Sequence, residues 1–228
     1  MEYIRVVEGV FIKRPNRFIA HVLIDNKEEI VHVKNTGRCL EILKPGVKVF
    51  LEPSTNPNRK TKYSLISVYK KDMLINIDSQ VPNKVVYDGI VSNHIECLKD
   101  VTFLKREVTY NNSRFDIYYE KGKEKGFIEV KGVTLEEDGI AMFPDAPTTR
   151  GTKHINELIE GNKEGYINYI FFLIQMDEIN RFKPNIERDK AFSEAVKKAK
   201  ENGITILGYN SGVTRDSIII NKKIYIDI

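Results

Sequence analysis

Three residues near the middle of the chain have the types and spacing for phosphate chemistry: Asp116, Glu129 and Lys131. Asp116 lies in the run S-R-F-D-I-Y-Y, which alternates polar with apolar or aromatic residues. That period of two predicts a strand, with Asp116 on one face and Phe115 and Ile117 on the other. The charged, glycine-containing link Lys121 to Gly126 predicts a turn. A second strand over Phe127 to Val133 would put Ile128 and Val130 on one face and Glu129 and Lys131 on the opposite one. If the two strands are neighbours, the three polar residues converge. Asp116 and Glu129 can then hold a hard divalent cation, with the Val130 carbonyl as a further ligand. Magnesium is the expected ion, with manganese as the alternative. Lys131 would orient an attacking water or stabilise negative charge at phosphorus. The competing reading is a wet sheet face on which Glu129 and Lys131 form an exposed ion pair of little energetic value.

The D…E-x-K arrangement resembles that of the PD-(D/E)xK class of metal-dependent phosphodiesterases. Phe115 stands where that class carries proline. The chemistry needs the carboxylate rather than the proline.

The elements around these residues predict a two-domain α+β chain: a small N-terminal β-barrel over 1–82 and a C-terminal α/β, nuclease-like domain over 83–228. In the second domain, Pro82 opens a helix whose apolar stripe runs through Val85, Val86, Ile90, Val91, Ile95 and Leu98 to an end near Lys99. Glu96 sits late on it. A strand over Val101 to Tyr110 leads into the strand bearing Asp116. Glu136 to Thr149 reads as a loop, whose Asp138 and Asp145 are secondary acidic candidates for the site, with ordinary turn roles favoured for both. A helix from about Arg150 carries Ile155, Leu158 and Ile159 on its apolar side, and His154 near the active end. Tyr166 to Gln175 reads as a buried strand whose last residue faces the site. Asp189 caps a final helix with Phe192, Ala195, Val196 and Ala199 at helical spacing, stopped by Asn202-Gly203.

The first domain reads as short strands over Val6–Lys13, Phe18–Ile24, Glu29–Val33, Val47–Glu52, Tyr63–Val68 and Met73–Ile77, joined by Gly, Pro and Asn turns. A five-strand oligonucleotide-binding (OB) barrel fits this length, with an SH3-like or mixed barrel as the alternative. Arg14, Arg17, Arg38 and Lys60 are its candidate phosphate contacts. Phe11, Phe18, Tyr63 and Tyr69 are candidates for base stacking, with the core as the commoner place for such residues. Before Lys84, fourteen Lys/Arg face nine Asp/Glu, an excess of five; from Lys84 onward, twenty-two face twenty-three. The positive field therefore belongs to the first third of the chain.

No apolar run is long enough to cross a membrane, and the start lacks the pattern of a signal peptide, which predicts a cytoplasmic protein. Two cysteines, Cys39 and Cys97, without a C-x-x-C, predict free thiols. Four dispersed histidines form no zinc motif.

Read whole, the chain resembles the sugar fermentation stimulation protein A family. The resemblance is carried by R-P-N-R-F at Arg14, N-T-G-R at Asn35, N-I-D-S-Q-V-P-N at Asn76, S-R-F-D at Ser113, F-I-E-V-K-G-V-T-L at Phe127 and F-P-D-A-P-T-T-R-G-T-K-H at Phe143. It implies an N-terminal OB fold, a nuclease-like second domain, DNA as the partner and a regulatory association with sugar use. Two functions follow as expectations: a magnesium-dependent deoxyribonuclease built on Asp116, Glu129 and Lys131, or a noncatalytic DNA-binding regulator that keeps the framework.

Overall fold

The computed structural model describes residues 1–35 and 37–228. Thr36, inside the loop expected at Asn35 to Arg38, lies outside the described residues. The first sheet contains β1 (Val7–Asn16), β2 (Ile19–Ile24), β3 (Lys27–Val33), β4 (Lys48–Pro53), β5 (Tyr63–Lys70) and β6 (Met73–Asn76). The strand order is β3-β2-β1-β4-β5-β6, and β3 also pairs with β5 through His32↔Ser64 and Val33↔Leu65. That last pairing closes β1-β2-β3-β5-β4 into an OB barrel. Alternation does the folding. In β2, Ala20, Val22 and Ile24 are buried while Leu23 faces out. The β2–β3 turn uses Asp25 and Asn26 at φ 50° and 62°, the left-handed pair that a two-residue hairpin requires.

The second domain contains α1 (Pro82–Val91), β7 (Phe103–Tyr110), β8 (Ser113–Lys121), β9 (Glu124–Val133), β10 (Leu135–Glu137), β11 (Ile140–Phe143), α2 (Thr149–Lys163), β12 (Tyr169–Ile174), β13 (Arg181–Pro184), α3 (Lys190–Glu201), β14 (Thr205–Val213), β15 (Ile218–Lys223) and β16 (Tyr225–Ile226). Its main sheet has the order β15-β14-β12-β9-β8-β7. β9, β12 and β14 run parallel, flanked by the antiparallel hairpins on either side. Every residue of the central β12, Y-I-F-F-L-I, is buried, because helices cover both sheet faces. Tyr169, Phe171 and Leu173 join the α1 cluster, while Ile170, Phe172 and Ile174 join that of α2 and α3. Each such side chain contributes about 1.5–3 kcal/mol on burial.

Three details depart from the sequence reading. The stripe of the first helix is buried at Val85, Val86, Ile90, Ile95 and Leu98, but one helix does not carry it. α1 ends at Val91, which is exposed, and Asn93 turns the chain at φ 56°; Ile95 and Leu98 reach the core from a separate 3-10 turn. The expected loop after Glu136 begins as the β10–β11 hairpin, turned by Asp138 and Gly139 at φ 51° and 79°. Its β11 pairs with β13, which in turn pairs with β16, making a second, four-stranded sheet. Finally, Phe115 and Ile117 do not share a cluster. Ile117 packs with the α1 side, whereas Phe115 sits on Phe127 and His154 at ring distances of 5.1 and 5.8 Å. The alternation breaks at Asp116, where the β7–β8 ladder skips the step opposite Glu107, itself at φ 56°.

Residues 1–3 pair with the second domain before the chain enters the barrel. Tyr3 N–H donates to the Asp216 carbonyl at 2.8 Å and Ile218 N–H to that of Met1 at 3.0 Å. Tyr3 and Val6 then share one apolar cluster with Phe50 and Ile66 of the barrel and Val81 and Val85 of the second domain.

Candidate functional site

The β8–β9 ladder runs from Lys121↔Glu124 to Ile117↔Ile128 and stops there. One more step in that register sets Asp116 opposite Glu129. Instead of a ladder bond, Asp116 Oδ2 accepts the Val130 N–H at 2.8 Å. Asp116 Oδ1 accepts from Asn83 Nδ2 at 2.7 Å. Asn83 lies in the first turn of α1, which Pro82 opens. Both oxygens of Asp116 are thus fixed, one by its neighbouring strand and one by a helix start.

Glu129 is oriented from the other layer. Its side chain is 2% exposed, and Oε1 receives Lys131 Nζ at 2.5 Å and His154 Nδ1 at 2.7 Å. His154 is buried on α2, a helix capped by Thr148, whose hydroxyl accepts the Gly151 N–H at 3.1 Å. Arg150 Nε donates to His154 Nε2 at 3.4 Å, so Nδ1 carries the proton shared with Glu129. Glu129 Oε2 is buried and, among the described residues, has no hydrogen-bond partner.

The two carboxylates are pushed in opposite directions. Burial, with repulsion from Glu129, pushes Asp116 up to about 6 against the pull of Lys131, the Val130 N–H and Asn83. Burial also opposes ionisation of Glu129, but Lys131 and His154 outweigh it and hold Glu129 below its ordinary value.

Asp116, Glu129 and Lys131 therefore form one connected cluster with Asn83 and His154. Other candidates do not join it. Glu96 is exposed and pairs with Lys99 at 2.6 Å. Gln175 is buried and gives its amide to Asn76 Oδ1 at 3.0 Å and the Asp78 carbonyl at 3.2 Å. Asp138 makes the hairpin turn. Asp145 accepts the Arg38 N–H at 3.0 Å, joining the two domains.

The barrel cations divide similarly. The Arg14 guanidinium donates to the carbonyls of Gly37, Arg38, Arg17 and Asn35 at 2.6–2.9 Å, so it shapes the loop. Arg17 and Arg38 are exposed on the lining of a cleft of about 710 Å³ between the domains. Lys60 is exposed between β4 and β5, away from that lining. Of the aromatics, Phe11 is core, Tyr63 packs against its cluster, Tyr69 packs against the α1-side cluster, and Phe18 is 52% exposed. Sequence reasoning missed Asn83; its position directly after a helix-opening proline was the available signal.

Against family models, residues 12–77 match the SfsA N-terminal OB domain and residues 80–217 match the sugar fermentation stimulation protein RE domain. This chain belongs to the sugar fermentation stimulation protein family. A sugar fermentation stimulation protein homolog of Alkaliphilus oremlandii is 58% identical over 232 residues, covering 100% of this chain and 99% of its own. The homolog of Clostridium beijerinckii is 54% identical, with 100% and 99% covered. The structure of Pyrococcus furiosus SfsA in complex with Ca2+ is 30% identical, with a TM-score of 0.91 over 100% of this chain and 98% of that one. The family's two models meet within Ile77 to Ser79, the segment where Ile77, Asp78 and Ser79 touch Lys34 and Asn35 of the barrel. Among the described residues of this chain, no helix is long and apolar enough to cross a membrane.

Proposed function

We propose that this chain is a DNA-binding phosphodiesterase that uses a divalent cation, magnesium or manganese, held by Asp116 and Glu129. The observation that carries this reading is the pair itself. One carboxylate has a buried oxygen without a partner, and the other is held near pH 6 by burial and the repulsion of the first. A hard dication answers both conditions, because it binds oxygen and favours the ionised forms. The Ca2+ in the Pyrococcus furiosus relative supports an oxygen-seeking ion. Among the described residues no group of three or more His, Cys, Asp or Glu is arranged for a metal. The ion would thus rely on two carboxylates, the Val130 carbonyl, and water or phosphate oxygens, a set that suits magnesium.

When bound, the cation would polarise a phosphate oxygen and lower the pKa of a water. The chain's residues supply the rest. Lys131, freed in part from Glu129, neutralises charge that develops at phosphorus. His154 and Arg150 hold Glu129 in place, and Asn83 does the same for Asp116. Arg17 and Arg38, on backbone that Arg14 holds, and Lys60, in the β4–β5 connection, contact phosphates.

The test uses Asp116→Asn, Glu129→Gln and Lys131→Met beside the wild type, with magnesium and manganese titrations. Each change should lower cleavage by about a hundredfold or more, in line with the loss of one charge-stabilising group, while DNA affinity stays within a few-fold. Metal-independent cleavage, or cleavage indifferent to all three changes, would sink the mechanism. One observation favours a second reading, a noncatalytic DNA-binding regulator: Lys131 already neutralises Glu129, whose Oε1 also accepts from His154 Nδ1. DNA affinity without cleavage of any DNA or RNA by the wild type would select it.

A further inference from the structure

We infer that the cleft between the two domains takes single-stranded DNA and leads it to Asp116, Glu129 and Lys131; this deepens the reading above and rests on it. The cleft, of about 710 Å³, is lined from both domains. That volume lies in the range of single-ligand pockets, roughly 300–1,000 Å³. It suits a few nucleotides of one strand.

The cleft is also bounded where the domains touch. Lys34 Nζ meets Asp78 Oδ2 at 3.0 Å and Asn35 Nδ2 donates to the Ile77 carbonyl at 2.9 Å. From the same barrel loop, Arg38 N–H meets Asp145 at 3.0 Å, and Gly37 lies so close to that carboxylate that a Cβ would collide with it.

The lining has the chemistry of a strand path. Its barrel wall offers the exposed Arg17 and Arg38 to phosphates. Its one carboxylate, Asp145, is already engaged by the Arg38 N–H. Beside the lining, Phe18, 52% exposed, follows Arg17 in the same hairpin and offers a face on which an unstacked base can lie. In a duplex the base faces are already covered, so such a platform serves only a single strand. The cleft floor includes Gly132 and Pro82, the neighbours of Lys131 and Asn83. A Cβ at Gly132 would lie 2.6 Å from Pro82 Cγ, so the floor there needs glycine.

The experiment measures fluorescence anisotropy of the full-length protein, in EDTA, with a short oligothymidylate and with a hairpin duplex of equal length. The single strand should bind about tenfold tighter or more, as stacking on even one or two bases provides. Phe18→Ala should weaken single-strand binding about fivefold or more and leave duplex binding unchanged. Arg17→Ala and Arg38→Ala should each flatten the log–log salt dependence by about 0.7. Thermal melts establish that the exposed-site variants remain folded. Equal or tighter duplex binding, tighter binding to oligouridylate, or a folded Phe18→Ala protein with unchanged single-strand affinity would overturn the assignment. Cleavage assays on both substrates separate the two ideas. Metal-supported cleavage confined to duplex sinks the cleft assignment and leaves the phosphodiesterase. Expected single-strand binding without any cleavage sinks the phosphodiesterase and leaves the cleft.

Discussion

Asp116 and Glu129 stand on adjacent strands, and both are largely buried, yet they answer burial in opposite ways. Asp116 receives neutral donors, the Val130 N–H and the Asn83 amide. Glu129 receives the Lys131 ammonium directly. Neutral donors hold a carboxylate in position without cancelling its desolvation, whereas a cation in contact does both. The site thus keeps one carboxylate charged and the other close to losing its charge. A second carboxylate that is expensive to ionise alone is one that gains from a dication.

The largest expected change comes from removing the cation. Lys131→Met leaves Glu129 buried with only His154, and should destabilise the protein by about 3–5 kcal/mol at pH 7. The sign follows from linkage. A carboxyl held below its ordinary value of 4.5 stabilises the fold above that pH, and the contribution is lost as pH falls through the folded value. The difference between variant and wild type should therefore shrink in urea titrations at pH 4. A difference that is the same at both pH values would mean that Lys131 acts through packing.

Asp116 should show the reverse pH dependence. Its folded value, about 6, lies above the ordinary 3.8, so its contribution is unfavourable, growing as pH rises from about 4 to 6 and constant above. The shift corresponds to about 3 kcal/mol. Asp116→Asn should then stabilise the metal-free protein at pH 7 by up to that amount, and hardly at all at pH 4. Asn83 can turn its amide to accept from the new donor. Magnesium should raise the melting temperature of the wild type and leave that of the variant unchanged. No gain at pH 7 would show that Asp116 ionises without penalty.

The smallest change tests the neutral donor. Asn83→Ala removes one hydrogen bond to a carboxylate, and should raise the Asp116 titration further while costing about 1–2 kcal/mol above it. NMR titration of the Asp116 carboxyl reads the shift directly. An unmoved titration would show that α1 does not tune the site.

Much of this was legible because the sequence rules involved are local. The period-two runs gave the barrel strands, and the parity of Phe127 to Val133 placed Glu129 and Lys131 together on the α2 side. Asp189 and Asn202-Gly203 bound the last helix as read. What failed depended on more than one segment. Phe115 changed sides because of a break shared with Glu107 on another strand. Val85 to Leu98 looked like one helix because burial recurs along it, and recurrence does not register the reversal at Asn93. The Asp138-Gly139 turn was readable, since Asp-Gly between short apolar runs is itself a hairpin signal. Arg14 looked like its neighbours Arg17 and Arg38; only the folded loop shows that carbonyls occupy it.

The pairing of residues 1–3 with Asp216 to Ile218, at the entry to β15, changes the mechanics of the whole molecule. The barrel is strung between two anchors on the same body, one through Tyr3 and Val6 and the other through Ile77 to Val81. Between those anchors, Lys70 meets Glu136, Asn76 N–H meets the Gln175 carbonyl and Arg38 N–H meets Asp145, so the barrel is tied at both ends of its chain and along its side. Arg17 and Arg38 thereby keep one bearing toward the cleft, and whatever the barrel grips meets the second domain from that one side.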